Sequence, residues 1–461
     1  MMQGVALEAI IQWTDAQVVG ILGPACQGVA VCGVATDSRA VAPGEVFVAL
    51  RGERFDGHDF VGAALEKGAV AAVVERGWAA GHAREHRGPL LAVESPLAAL
   101  GAMARGYRQR FQVPVIAVVG SAGKTTTKEM IAAVLAGRLR VLKNRGNENN
   151  EIGVPKTLLE LDSTCQAVVL EMAARQVGDI AYLCSIAQPN FGLLLNIGSA
   201  HLGVFGTVER VAKAKGEILG YLDESSTALI NVDDCVVARE AKATKGRLLG
   251  FSLRHESAFR GEGLVLDQDG CGHFSLQDTS FRLRVPGRHN VYNALAAAAT
   301  GHLHGVPWPE IAEALAAFAP VTMRSAVHRR CGWSVLDDSY NANPESVCAA
   351  LDTLAAMDAR RRIAVLGDML ELGPAGPQLH RELGERVAAS GVALLLTVGP
   401  LSQHTAAGAA AAGMPPAAVR HFEGGGALAQ HLRGLLRPGD LVLVKGSRAT
   451  RLDEVVAAVL H

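Results

Sequence analysis

Residues Val113–Gly120 form an apolar, largely β-branched run that stops at Gly120-Ser121-Ala122-Gly123-Lys124-Thr125-Thr126-Thr127 and resumes as KEMIAAVLAG. A strand that breaks into a glycine-rich turn and then opens a helix belongs in a layered α/β sheet. Such a turn lets backbone wrap an anion, and the helix N-terminus points N–H groups and partial positive charge at it. Lys124 is placed to neutralise β/γ-phosphate charge, and the Thr125 hydroxyl to bind Mg²⁺. The spacing is GxxGKT, and Val118 stands where the longer GxxxxGK[ST] form has its first glycine. The strand–loop–helix context supplies what the shortened motif lacks, so the reading is nucleotide phosphate binding by Gly120, Ser121, Ala122, Gly123, Lys124, Thr125 and Thr126.

The 461 residues predict about three domains at roughly 150 residues each. Lys plus Arg is 44 against 45 Asp plus Glu, a balance that argues against broad electrostatic nucleic-acid binding. Hydrophobic residues reach 49% but aromatics only 5%, so the cores must be built from Ala, Val and Leu. No apolar run approaches the ~18 residues of a membrane span. The opening MMQGVALEAIIQWTDAQ lacks a basic start and carries Glu8 in its apolar part, unlike a signal peptide. The eight cysteines are scattered without a CxxC pair and read as reduced thiols of a cytoplasmic protein, expected to be a monomer.

Texture changes twice along the chain. Residues 1–105 hold short strands and Gly-rich turns; 106–319 alternate strands with helices; after Phe318-Ala319-Pro320, residues 320–461 bring new strands, WSVLDDS, RIAVLGD, ALLLTVG and LVLVKGS. Alternating β and α segments predict parallel sheets, and the stretch 246–285 predicts an antiparallel patch.

Polar residues collect just past the apolar strands, where open α/β sheets bind ligands. Glu171 ends AVVLE and His201 follows FGLLLNIGSA. Glu is a hard oxygen ligand suited to Mg²⁺. Singly, the first could be a capping carboxylate and the second a structural histidine; beside a phosphate loop both point to a metal. In VERVAKAKGEILGYL, Lys215 falls on the stripe of Val208, Val211, Ile218 and Leu222, whereas Lys213 falls off it. A partly buried lysine is more often a free amine, able to react with CO₂ to give an oxygen-bearing carbamate; the alternative is a side chain that snorkels or pairs. Asn290 and Asn293 share one helical face, unless Asn290 only caps the helix. Asp337, Asp338, Tyr340, Asn341 and Asn343 crowd one loop, Asp368 follows another strand, and Lys445, Ser447 and Arg448 follow a third. TDSRAVAPGEVFVALRGERFDGHDF offers Ser38, Arg39 and His58 for an anion or ribose site.

Taken in order, these segments, with NRGNENNEIGVPKTLL, HLGVFGTVERVAKAKGEIL, GRHNVYNALAAAA, DDSYNANPESV, LGDMLELG and VKGSRATRLDEVV, resemble the Mur ligase family over nearly the whole chain. Within it the likeness is to the branch that adds D-alanyl-D-alanine. The resemblance implies a small α/β UDP-binding domain, a central P-loop-type ATP-binding domain and a C-terminal Rossmann-like domain. It implies ATP-dependent joining of D-alanyl-D-alanine to UDP-N-acetylmuramoyl-tripeptide through an acyl phosphate. By this likeness Ser38 and Arg39 contact the uridine diphosphate, and Asn147, Asn149 and Asn150 lie near the peptide-bearing substrate. Lys124 and Thr125 hold phosphates and the first of two Mg²⁺ ions. Glu171, His201 and carbamylated Lys215 complete the metal set, with Lys124, His201 and Lys215 carrying the chemistry. Asn293, Arg324, Asp338, Tyr340 and Asn341 attend ATP, and Lys445, Ser447 and Arg448 are candidates for handling substrate. Ala173 stands where the family usually has Gly, and Glu148 where a neutral residue is usual. The rival readings are a sibling ligase adding a single amino acid, whose DNPR-type signature is not found here, and a nucleotide-dependent switch that ligates nothing.

Overall fold

Five sheets are formed among the described residues of this computed structural model, which are 2–19, 28–52, 55–82, 84–86, 88–198 and 202–461. Packing separates two units, Met1–Ala117 with Leu139–Ala173 and Asp179–Phe191, and Val118–Arg138 with Ala174–Gly178 and Gly192–His461.

In the first unit a five-stranded sheet runs in the order Gln17–Val19, Leu90–Val93, Ala71–Glu75, Glu45–Val48, Gly33–Ala35. The pairings are parallel except at the Gln17–Val19 edge. Leu90–Val93 is buried along its length, and so is Ala71–Val74. That is why the sequence shows continuous apolar runs there and not alternation. Ser95 caps the helix Pro96–Arg108 through its hydroxyl, with proline at the first position.

The phosphate-loop strand, Val115–Val119, is wholly buried in a seven-stranded sheet. Its order is Phe259–Arg260, Arg247–Ser252, Thr227–Asn231, Phe191–Leu194, Val115–Val119, Ala167–Glu171, Val141–Lys143. The expected antiparallel patch is narrower than 246–285. RLLGFS pairs in parallel with Thr227–Asn231 and belongs to the large sheet. Its alternating look comes from lying near the sheet edge, where Arg247 and Leu248 are exposed, and not from antiparallel pairing. The antiparallel sheet itself is Glu262–Leu266, Cys271–Leu276 and Thr279–Pro286.

The last region is a six-stranded sheet ordered Ala326–Arg330, Trp333–Asp337, Asp440–Lys445, Arg361–Gly367, Leu394–Val398, Val419–Phe422. It is parallel apart from the Ala326–Arg330 edge, as expected for a Rossmann-like layer. Apolar clusters cover both faces, one around Leu336, Leu351 and Leu395 and one around Val335, Val442 and Leu452. Asp440–Lys445 lies between two strands that are successive in sequence, so the strand order reverses there. The carboxyl ends of these strands therefore converge on a topological crevice. No helix among the described residues is long and apolar enough to cross a membrane. The seven described cysteines are free thiols.

Candidate active site

The phosphate loop is held by Asn196, at the end of the neighbouring strand. Its Oδ1 accepts from Ser121 N at 3.0 Å and Ala122 N at 2.8 Å, while its Nδ2 donates to the Ala122 carbonyl at 3.0 Å. Gly198 N donates to Ser121 Oγ at 2.9 Å. The first two loop amides are thus spent on shaping the turn. The helix Lys124–Ala136 follows, and the N–H groups of its first turn lie outside the i→i−4 ladder. Gly123 caps that helix at φ +79, and a Cβ there would lie 2.5 Å from Asn293 Oδ1. Only glycine meets both conditions without strain. Lys124 Nζ donates to the Gly120 carbonyl at 2.9 Å, and Thr125 and Thr126 are buried.

Asn293 ties this helix to the helix Arg288–Leu303. Thr127 Oγ1 donates to Asn293 Oδ1 at 3.2 Å, and Asn293 Nδ2 donates to Asn290 Oδ1 at 3.0 Å. Asn290 is not the cap: Gly287 occupies that position, and Asn290 Nδ2 donates back to the Pro286 carbonyl at 2.7 Å. Lys215 lies on the inward stripe of the helix Val208–Tyr221 and is 2% exposed, whereas Lys213 faces out. Burial, with the Lys124 ammonium nearby, lowers the Lys215 amine from 10.5 to about 7.

Glu171 and the asparagine loop meet in the first unit. Asn149 Nδ2 donates to Glu171 Oε1 at 2.7 Å. Asn144, which sequence reasoning missed, is fully buried: it accepts from Glu171 N at 2.9 Å and donates to the carbonyls of Glu171 and Glu148. Its only signal was its place just past a short strand. Asn150 accepts from Ile152 N and Gly153 N and starts the next helix. Asn147 is exposed. Glu148 turns its carboxylate to Lys156 at 3.3 Å, so the unusual charge sits in a surface pair. Ser38 and Arg39 also lie in this unit. Arg39 pairs with Asp37 at 2.8 Å, and Lys67 Nζ holds the Ser38 carbonyl at 2.9 Å. His58 is buried and structural, bridging Asp56 at 2.6 Å and Glu75 N at 3.0 Å. A cavity of about 410 Å³ opens on Trp13, Arg105 and Tyr182 and contains none of the expected site residues.

In the crevice of the last sheet, Lys445 Nζ donates to Asp338 Oδ2 at 2.5 Å and to the Asn341 carbonyl at 2.9 Å. Asp338 Oδ1 accepts from Ser325 N at 3.0 Å. Burial pushes the Asp338 carboxyl up, but the adjacent Lys445 ammonium outweighs this and its pKa lies below the ordinary value. The Arg324 guanidinium stacks 4.0 Å from the centre of the Tyr340 ring. Met323 and Ser325, on either side of Arg324, both have positive φ (61° and 51°). Left-handed backbone at two non-glycine residues costs about 1–2 kcal/mol each, and such strain persists where surrounding contacts fix it. Ser447 Oγ accepts from Leu370 N at 2.9 Å, and Asp368 Oδ1 accepts from Ser402 N at 2.7 Å. Arg448 is half-exposed and pairs with Asp453 at 2.9 Å. His201 lies outside the described residues, and among those described no three His, Cys, Asp or Glu side chains gather into a metal-holding group.

Comparisons with known proteins agree with this anatomy. The Mur ligase family catalytic-domain model matches residues 30–108, the Mur ligase middle-domain model 118–301, and the Mur ligase glutamate ligase domain model 323–448. The UDP-N-acetylmuramoyl-tripeptide--D-alanyl-D-alanine ligase of Synechocystis is 39% identical over 438 residues, covering 93% of this chain and 91% of the relative. The crystal structure of MurF from Acinetobacter baumannii superposes with a TM-score of 0.90 at 30% identity, covering 100% of this chain and 99% of that one. The MurF ligase of Thermotoga maritima in complex with ADP gives 0.82 at 31% identity, covering 93% and 96%. With its phosphate loop, its buried lysine and three matching regions in order, the chain belongs to the Mur ligase family.

Proposed function

We propose that this chain is an ATP-dependent ligase that joins D-alanyl-D-alanine to UDP-N-acetylmuramoyl-tripeptide, giving the pentapeptide precursor of peptidoglycan, ADP and phosphate. The observation that carries the reading is similarity to ligases of that name across 93% of the chain and 91% of the relative. The three regions 1–105, 106–319 and 320–461 would bind the uridine nucleotide, bind ATP, and close over ATP and the incoming amine. Because the reaction draws on ATP and a nucleotide-linked precursor, its place is the cytoplasm.

In this reading the terminal carboxylate of the tripeptide attacks the γ-phosphorus of ATP. The bond from that phosphorus to the β-bridging oxygen breaks, giving an acyl phosphate and ADP. The amine of D-alanyl-D-alanine then attacks the acyl carbon, phosphate leaves, and the nitrogen loses a proton to solvent. Phosphoryl transfer of this kind depends on positioning and charge neutralisation more than on covalent help. Lys124 supplies charge at the β/γ-phosphates, Asn196 holds the loop in shape, and Asn293 fixes the helix behind it. Arg324 and Tyr340 would flank the nucleotide, and Ser38 and Arg39 the uridine diphosphate. Asn147 and Asn150 would lie beside the peptide, and Ser447 and Arg448 near the incoming dipeptide.

The donor chemistry fits Mg²⁺. Thr125 is a buried hydroxyl at the head of the phosphate-loop helix, and Glu171 is a buried carboxylate oriented by Asn149. Mg²⁺ usually takes one or two carboxylates and completes its shell with phosphates and water, so no three-residue cage is required. Thr125, Glu171, His201 and carbamylated Lys215 would hold two such ions. The metal would supply Lewis acidity and charge neutralisation at the phosphates. A lysine whose amine is lowered to about 7 carries a free base near neutrality, the form that adds CO₂ and releases a proton to become a carbamate.

The test is phosphate release with ATP, Mg²⁺ and UDP-N-acetylmuramoyl-tripeptide, comparing D-alanyl-D-alanine with single amino acids. Turnover with the dipeptide alone is expected. Turnover with a single amino acid on a shorter precursor, and none with the dipeptide, would overturn the assignment. ATP turnover indifferent to any amine would favour the switch.

A further inference from the structure

The short helix Leu202–Phe205 runs into Thr207, the cap of the helix that carries Lys215. It meets the last region at the Glu371–Gly373 turn, and there backbone meets backbone. Gly203 N donates to the Glu371 carbonyl at 2.8 Å. A Cβ on Gly203 would lie 2.6 Å from Gly373 N, 2.9 Å from the Glu371 carbonyl oxygen and 3.0 Å from Gly373 Cα. From the other side, a Cβ on Gly373 would lie 2.8 Å from Gly203 Cα. Glu371 and Gly373 both hold positive φ, 63° and 59°, so the turn that presents this carbonyl is itself in an unusual conformation. These atoms are backbone and cannot swing aside as a long side chain would. Nothing about the fold of either segment alone demands a glycine at 203: its φ is not positive, and alanine is the better helix former.

We propose that Gly203 and Gly373 are positioning residues, a glycine seam by which the Glu371–Gly373 turn seats on the segment entering the Lys215 helix. The seam would set the last region relative to the phosphate loop during ligation. It rests on the ligase reading above, which supplies the reaction whose rate is measured.

The seam predicts a split that misfolding would not produce. In Gly203→Ala, kcat for phosphate release with both acceptor substrates should fall at least ~10-fold, since displacements of about an ångström can cost a hundredfold. UDP affinity by calorimetry should stay within about twofold, because Ser38 and Arg39, proposed to hold it, lie in the first unit. Hydrogen exchange should show the residue-203 amide losing protection in the unliganded protein. Gly373→Asn is the second variant, since asparagine tolerates positive φ yet brings the same clash from the opposite side; it should repeat the pattern. Gly220→Ala, on the Lys215 helix where a Cβ meets nothing within 4 Å, is the control and should match the parent. Retention of kcat within twofold in both seam variants would overturn the proposal, as would parallel loss of kcat and UDP binding in both. An inactive parent chain would instead defeat the ligase reading, while the exchange measurement would still report whether the seam exists.

Discussion

Two lysines in the second unit are equally hidden and serve opposite ends. Lys215 is 2% exposed and Lys445 is 3% exposed. Lys445 is satisfied within the protein, its ammonium set between the Asp338 carboxylate and the Asn341 carbonyl. Lys215 forms no hydrogen bond or ion pair among the described residues, and its electrostatic neighbour is the like-charged Lys124. Burial is therefore shared, and pairing separates the two. A buried charge with a partner is a structural joint whose removal leaves the partner stranded. A buried amine without one gives up its proton near neutrality and is ready for chemistry, which is where strongly perturbed groups tend to cluster.

The largest effect that would break this contrast is in activity. Lys215→Ala should lower the ligation rate at least about 10³-fold, the scale of losing a main electrostatic contributor to a transition state. Lys213→Ala, two positions along the same helix but facing solvent, should stay within about twofold. Steady-state phosphate release on both variants decides it. Equal losses would mean that the inward stripe does not select the reacting residue.

A smaller effect, in stability, sharpens the other half. Asp338→Ala leaves the Lys445 ammonium buried without its carboxylate and should cost about 3 kcal/mol in urea unfolding. Replacing both partners, Asp338→Leu with Lys445→Met, should recover most of that loss, because two well-packed apolar groups need no compensation. A single substitution that costs under about 1 kcal/mol would show that solvent reaches the pair and that the two lysines differ less than their burial suggests.

The contrast also marks what could be read without coordinates. The phosphate loop was legible because it is local: strand, glycines and helix are consecutive, and the chemistry follows from their order. Lys215 was legible because helical periodicity alone separates it from Lys213. The Asp338–Lys445 joint was not, since 107 residues separate its members and only the insertion of one strand between two others brings them together. Lys445, Ser447 and Arg448, close in sequence and expected to handle substrate, are held differently: Lys445 is tied to Asp338, Ser447 holds the Leu370 amide, and Arg448 is half-exposed and paired with Asp453. Asn196 and Asn144 escaped notice for a related reason. Each is one polar residue at a strand end, and its importance lies in the backbone groups it satisfies on a different segment. The strand RLLGFS misled in the opposite direction, because an edge position imitates the alternation of an antiparallel ribbon.

The smallest effect isolates Lys215 without any substrate. Its pKa in the folded chain is about 7, against an ordinary 10.5. Between those values the unfolded chain holds the proton and the folded chain does not, so unfolding takes up a proton and stability rises with pH. Below about pH 7 both states are protonated and the full penalty of a buried charge is present; above about 10.5 neither is, and the penalty is gone. Within the window the group contributes about 1.4 kcal/mol per pH unit. Urea unfolding at about pH 7, 8 and 9 in CO₂-free buffer should therefore show a slope that flattens in Lys215→Met by about that amount. In bicarbonate the parent should gain further stability that the variant does not, because a ligand-like modification of the folded amine alone shifts the balance toward the native state. An unchanged slope in the variant would place water or a counter-charge beside Lys215 and erase the difference from Lys445 on which the contrast depends.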